Sequence, residues 1–177
     1  MKDEENSLRV LFVSSGNWTR TQMAETILRR LTRGRVHVAS AGSEPRKEIH
    51  PMTREVIKKV IGVEMANQRP KHVQEFRDQT FDFVFLLAEG EVVPTDLLPL
   101  GTEPIRWTFE DPSKVEGTDA EKRRAFESVA RGLMGRIRIW LALPQVAEKS
   151  GLLSVAHPDQ PGLQGQRVPA NPSTLGL

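Results

Sequence analysis

The sequence predicts an α/β fold, a three-layer sandwich built on a central parallel sheet. Short apolar runs of strand length alternate with amphipathic stretches of helix length, the order expected of βαβ units. The runs are apolar at nearly every residue rather than at alternate ones, as strands buried on both faces are. The first run also passes through a single polar turn straight into a helix.

Leu8–Val13 (LRVLFV) is the first strand. After the turn SSGNWTR, Met23, Ile27 and Leu31 recur every four residues with Leu28 beside them, one apolar helix face, and Gly34 is placed to stop it. Val36–Ala41 (VHVASA) is the second strand; a loop follows, then a helix through Val56, Val60 and Ile61 that ends near Gly62. A short helix is expected over Val73–Arg77, a third strand over Phe81–Leu87, and a shorter fourth over Pro104–Trp107. Thr118 and Glu121 have the spacing of a capping box. They open a long helix carrying Phe126, Val129, Leu133, Ile137 and Trp140, limited by Pro144. Residues 1–7 are expected to be flexible and 8–146 to form the domain. The segment 147–177, rich in Gly, Pro, Gln and Ser without periodicity, is expected to be a disordered tail.

The 177 residues suffice for one domain with a tail. No apolar run reaches the roughly 18 residues of a membrane span, and the opening MKDEENS is charged, unlike a secretory signal. A cytoplasmic protein with no membrane partner is expected. The formal charge of +2 gives no reason to expect nucleic acid. The chain contains no cysteine, which excludes disulfides, zinc–thiolate sites and thiol redox chemistry within it.

The turn Ser14–Arg20 is the first candidate site. A strand-to-helix turn gathers consecutive backbone N–H groups at the positive end of the helix dipole and can form a concave anion site. Gly16 permits unusual backbone angles, Asn17 tolerates left-handed ones, and Arg20 supplies a planar fork of donors for a tetrahedral oxyanion. The alternative is an ordinary connection with Arg20 as a solvated charge, since short Gly-containing loops are common.

VLFVSSGNWTRTQMAE resembles the phosphate-binding loop of the low-molecular-weight protein tyrosine phosphatase superfamily, whose motif is Cys, five residues, Arg, then Ser or Thr. Ser14, Arg20 and Thr21 keep that spacing. Ser40–Pro45 (SAGSEP) is similar to the family's Ser-Ala-Gly-Thr segment. Ile49-His50-Pro51, Arg69-Pro70-Lys71 and Phe81–Val84 also look like family segments. Trp107–Pro112 (WTFEDP) resembles the Asp-Pro loop that carries the family's general acid. Val115–Thr118 and the helix with Phe126 look most like the arsenate-reductase branch, and the tyrosine usual after Asp-Pro in the phosphatase branch is missing, as tyrosine is from the whole chain.

The resemblance implies a low-molecular-weight-phosphatase-like fold. It also implies a ligand that is arsenate, phosphate or a phosphomonoester, held by Ser15, Gly16, Asn17, Trp18, Thr19, Arg20 and Thr21, and no metal or organic cofactor. The family nucleophile is a thiolate; here its position is Ser14, which needs a general base, and no histidine lies in the motif. Catalysis is therefore expected to be impaired. The arsenate reductases' two further cysteines fall near Ala88 and Thr95, neither able to relay a disulfide. Either Ser14 replaces a catalytic cysteine of a parent protein, or it marks a natural member that lost catalysis and kept binding.

Asp111 is biased by Pro112 toward extended, loop-edge geometry. It is a turn residue on its own terms and the general acid on the family's. Trp18 is either a wall for the ligand or a packing residue, and Thr21 either donates to the anion or only opens the helix. Of the histidines, His50 before Pro51 is expected to be structural. The run Lys122-Arg123-Arg124 is expected to be a solvated helix face.

Overall fold

The computed structural model describes residues 7–87, 90, 93–101 and 103–152. Four strands, β1 (Arg9–Ser14), β2 (His37–Gly42), β3 (Phe83–Leu87) and β4 (Ile105–Trp107), form one sheet in the order β2-β1-β3-β4 with every pair parallel. They match the four expected runs with ends shifted by one or two residues. Along β1, Val10 and Phe12 enter one core while Leu11 and Val13 enter the other. Side chains alternate across a strand, so one buried on both faces must be apolar throughout.

Four helices follow the strands: α1 (Arg20–Leu31), α2 (Pro51–Ile61), α3 (Asp119–Leu141) and α4 (Pro144–Lys149). Met23 and Ile27 of α1, Val56 and Ile57 of α2, and Phe126 and Leu133 of α3 join Phe12, Phe85 and Trp107 in one core. Phe85 lies 4.2 Å from Trp107 and meets Trp140 edge-on at 5.2 Å, joining β3, β4 and α3. On the other face, among the described residues, a 3-10 turn at Val73–Phe76 and the side chains of Val93 and Leu98 cover Leu11, Val13 and Leu86.

The Thr118–Glu121 capping box opens α3 as expected, each side chain accepting from the other residue's backbone N–H. Two expectations need correction. The first helix is capped by Thr32, before Gly34; Arg33 and Gly34 both turn left-handed (φ 53° and 77°), and the Gly34 N–H returns to the Arg29 carbonyl at 3.0 Å. Pro144 limits α3 but also opens α4, where its missing N–H and fixed φ suit the first helical position. α4 has no long periodic pattern to announce it, yet Val146 and Ala147 are buried. Residues 1–6 and 153–177, the bulk of the expected flexible ends, lie outside the described residues. No described helix is long and apolar enough to cross a membrane.

Because all strands are parallel, the ends of β1, β2 and β4 open on one edge, where ligands of such sheets bind. The segments 14–20, 42–50 and 108–112 converge there.

Candidate functional site

The loop after β1 is clamped from outside by its neighbours. The carbonyls of Ser14, Ser15, Gly16 and Trp18 accept from the N–H groups of Ser43, Glu44, Arg46 and His50 at 3.2, 2.9, 2.9 and 3.0 Å. The Asn17 carbonyl accepts from Gln22 Nε2 at 3.1 Å. In a planar trans peptide the C=O and the next N–H point in opposite directions. The N–H groups of Ser15, Gly16, Trp18 and Thr19 are therefore turned away from the engaged carbonyls before them, and that of Asn17 donates to Ser14 Oγ. Thr19, at the N-cap of α1, makes no side-chain capping bond.

The left-handed residue of the loop is Asn17 (φ 46°); Gly16, expected to supply the unusual angles, is not among the positive-φ residues. Gly16 matters for space instead: a Cβ there would stand 2.9 Å from Trp18 Cδ1. Asn17 holds its turn with its side chain. Its Oδ1 accepts from the Lys71 N–H at 2.8 Å and from Gln22 Nε2 at 3.1 Å, and its Nδ2 donates to Thr21 Oγ1 at 3.0 Å. Ser14 Oγ, at the base, lies 3.3 Å from Thr21 Oγ1 and accepts from the Asn17 N–H at 3.2 Å. Gly42 closes the back, where a Cβ would collide with the Ser15 carbonyl and approach Asn17 N to 3.1 Å.

Arg20 and Asp111, 91 residues apart, are brought together. Arg20 Nη2 donates to Asp111 Oδ2 at 3.2 Å and Nη1 to the Phe109 carbonyl at 2.9 Å, in a pair whose side chains are 3% and 8% exposed. Asp111 Oδ1 accepts from Ser113 N at 3.0 Å and Ser113 Oγ at 2.7 Å, capping the 3-10 turn Pro112–Lys114. The Arg20 guanidinium is thus neither solvated nor free to swing. Trp18 forms the rim: Arg46 lies over its ring at 5.1 Å and His50 meets it at 4.9 Å. His50 is structural, as expected. Its Nδ1 accepts from the Met52 N–H at 3.2 Å to cap α2, and its ring lies 4.8 Å from Phe126. Burial pushes His50 below its usual range, against the opposing pull of Asp111.

Behind the loop lies a buried charge that sequence reasoning missed. Glu25, 4% exposed at its side chain, accepts from Ser40 Oγ at 2.5 Å, from Arg29 Nη2 at 2.7 Å and from Lys71 Nζ at 3.4 Å. Lys71 therefore touches both Glu25 and Asn17, tying the loop after β1 through Glu25 to Ser40 of β2. The available signal was Arg69-Pro70-Lys71 itself, noted as a motif but given no role. Arg123 corrects the solvated-face expectation in part: it ion-pairs with Glu55, joining α3 to α2, while Arg124 is exposed. Thr95 sits exposed in a 3-10 turn, and Ala88 lies outside the described residues. Among the described residues no group of three or more His, Asp or Glu side chains is placed to hold a metal ion.

Among the described residues, the arrangement brings the backbone N–H groups of the loop and the Arg20 guanidinium, donors of the kind that suit a tetrahedral oxyanion, together with the Asp111 carboxylate. Known proteins share this frame. The family model for low molecular weight phosphotyrosine protein phosphatase matches residues 9–95. An arsenate reductase of Halalkalibacterium halodurans is 30% identical over 135 residues, 75% of this chain and 94% of that protein. An arsenate reductase of Bacillus subtilis is 26% identical over 136 residues, 76% of this chain and 94% of that one. A solved arsenate reductase in its phosphate-binding state superposes with a TM-score of 0.63 at 25% identity, covering 76% of this chain and 97% of its own. The chain belongs to the low-molecular-weight phosphotyrosine protein phosphatase superfamily, in its arsenate-reductase-like branch.

Proposed function

We propose that this protein binds a tetrahedral oxyanion, arsenate or phosphate, in the loop Ser14–Arg20, with catalysis impaired because Ser14 occupies the nucleophile position. The observation that carries this is the clamped loop: its carbonyls are engaged by neighbouring segments, which turns the N–H groups that follow them the other way, and Arg20 is paired with Asp111. Ser15, Gly16, Trp18 and Thr19 supply backbone donors, Arg20 the charge, and Asn17, whose N–H is given to Ser14 Oγ, joins Thr21 in supporting Ser14. Asp111 has the place of the proton donor to a leaving oxygen. A cytoplasmic setting, where such anions are met, belongs to the same proposal.

Turnover lacks its means. A serine hydroxyl needs a base to attack, and the Nδ1 of His50, the nearest ring to the loop's Trp18, is committed to a helix cap. Reduction of arsenate also needs electrons from thiols, and the chain holds none. Calorimetric titration is expected to show phosphate and arsenate binding. Assays with a thiol reductant and with a chromogenic phosphomonoester are expected to show no turnover above background; brisk turnover in either would defeat the proposal.

The position of Asp111 beside Arg20 favours a second reading, phosphomonoester hydrolysis by a cysteine-bearing parent. Ser14→Cys is then expected to hydrolyse the chromogenic ester through a phosphocysteine. Thioredoxin-coupled arsenate turnover is not expected from it, since neither Ala88 nor Thr95 can relay a disulfide.

A further inference from the structure

We propose that a cavity between the C-terminal ends of α1 and α2 and the flank of α3 binds a small organic anion, one with an apolar body and a carboxylate or phosphate head. The site is separate from the oxyanion loop and does not depend on that reading. It lies at the far end of α1, which runs 12 residues, about 18 Å, away from the loop.

The cavity measures about 350 Å³, the size of a small-molecule site. Its floor is apolar: Leu31 of α1, Ile61 of α2 and Met134 of α3 line it, each only partly buried against the core below. The charged part of its lining is three exposed arginines, Arg30, Arg33 and Arg138, without a carboxylate. Among the described residues none of these three guanidiniums has a hydrogen-bond or ion-pair partner. The cations around them do. Arg29 is paired with Glu25, Lys58 with Glu64, and both Lys59 and Arg131 with Glu127. Arg35 donates to the carbonyls of Thr32 and Gly151. Arg30 and Arg33 also edge a recess toward residues 63–68, but Glu64 lines that one.

Cations near a helix C-terminus ordinarily answer the macrodipole, and two helices end at this cavity. Each terminus carries about half a negative charge, so together they account for about one of the three guanidiniums. A surplus of about two positive charges stands over the apolar floor. An anionic head meets that surplus, and its apolar body takes the floor out of water. Inorganic phosphate would leave the floor wet, and an uncharged apolar molecule would leave the charge unmet.

The backbone of Arg33 is an independent sign. It is left-handed (φ 53°), in the place after a helix that glycine or asparagine fills without strain and that disfavours a residue bearing a larger side chain. No polar contact of its side chain within the described structure offsets that cost, and what the side chain contributes is its place at the cavity.

The test follows backbone amide shifts of the isotope-labelled full chain by NMR as octanoate, octyl phosphate, octanol and inorganic phosphate are added. Octanoate, octyl phosphate or both are expected to give saturable shifts at residues 27–34, 60–62 and 134–138. Octanol and inorganic phosphate are expected to bind there at least about tenfold more weakly. The tighter of the two amphiphiles identifies the head group. Arg33→Gly and Arg138→Gln are each expected to weaken that binding by about tenfold, one charge-assisted hydrogen bond. Arg33→Gly is expected to do so at an equal or higher melting temperature, because glycine suits the left-handed turn. No saturable shift with either anion, octanol binding as tightly as the anions, or undiminished affinity in either variant would overturn the proposal. So would a clear drop in the melting temperature of Arg33→Gly, which would give that side chain to the fold. Residues 1–6, with Asp3, Glu4 and Glu5, lie outside the described residues. Binding of octanoate by a chain lacking them, and not by the full chain, would hand the cavity to that acidic segment and equally overturn the proposal. Phosphate shifts at residues 14–20 bear on the loop alone.

Discussion

Arg20 and Asp111 form an ion pair in a nearly dry site, and a bound anion would compete with Asp111 for the same guanidinium. Arg20→Ala is expected to weaken phosphate binding by at least about tenfold, since hydrogen bonds to charged groups contribute about 1.5–3 kcal/mol each. Asp111→Asn is expected to act oppositely on binding and to penalise the empty protein. It removes a like charge from the anion's surroundings but takes the Asp111 carboxylate from a buried guanidinium, a loss of about 1–3 kcal/mol of stability. Phosphate should then restore most of that stability, because it supplies the missing negative charge and binds only the folded state. Thermal melts of Asp111→Asn with and without phosphate check this. A variant whose melting temperature phosphate raises no more than it raises the unaltered protein's would show that Asp111 and the anion do not share Arg20.

At the scale of elements, His50 links the loop after β1 to two helices: it caps α2, its backbone N–H holds the Trp18 carbonyl, and its ring lies between Trp18 and Phe126. Burial favours its neutral form, so its folded pKa lies below 6.5 while the unfolded chain titrates near that value. Between the two the unfolded state binds more protons. Stability from His50 is therefore full above about pH 6.5 and falls as the pH drops through the folded value. Protonation would also take away the Nδ1 lone pair that accepts from Met52. His50→Asn keeps a capping acceptor without a titrating ring and is expected to flatten part of the stability loss between about pH 7.5 and 5. His37 is also lowered, by burial first and then by Arg9 and Arg29, and accounts for a part that remains. Urea unfolding at the two pH values measures the difference; an unchanged loss in His50→Asn would assign the acid sensitivity elsewhere.

For the whole molecule, the junction of domain and tail is decided by α4. Val146 is fully buried, Leu152 packs on the same core, and Lys149 reaches Asp82 at 2.6 Å, beside the start of β3. Removal of 153–177 is expected to leave phosphate binding unchanged and the melting temperature within about a degree or two. Removal of 144–177 is expected to cost about 2–3 kcal/mol through the lost burial of Val146 and its neighbours, and several degrees of melting temperature. Calorimetric melts of the two truncations test this, and equal melting temperatures would remove α4 from the folded unit.

The sequence by itself determined the strand–helix order, because strands buried on both faces are continuously apolar and helices on one face are periodic; each signal is local. It determined the capping box of α3 and the spacing of Ser14 and Arg20 for the same reason. It missed α4, whose two buried residues are too few to show a period. It misassigned the special backbone of the loop, since the left-handed turn falls to Asn17 and is held by Lys71 and Gln22. Only the tertiary structure decided what surrounds Ser14. The Arg20–Asp111 pair spans 91 residues, and the outer clamp comes from 43–50, which β2 delivers beside β1. A contact between distant segments leaves no period, and the direction of a peptide group depends on the partner it finds; both exist only once the chain has folded.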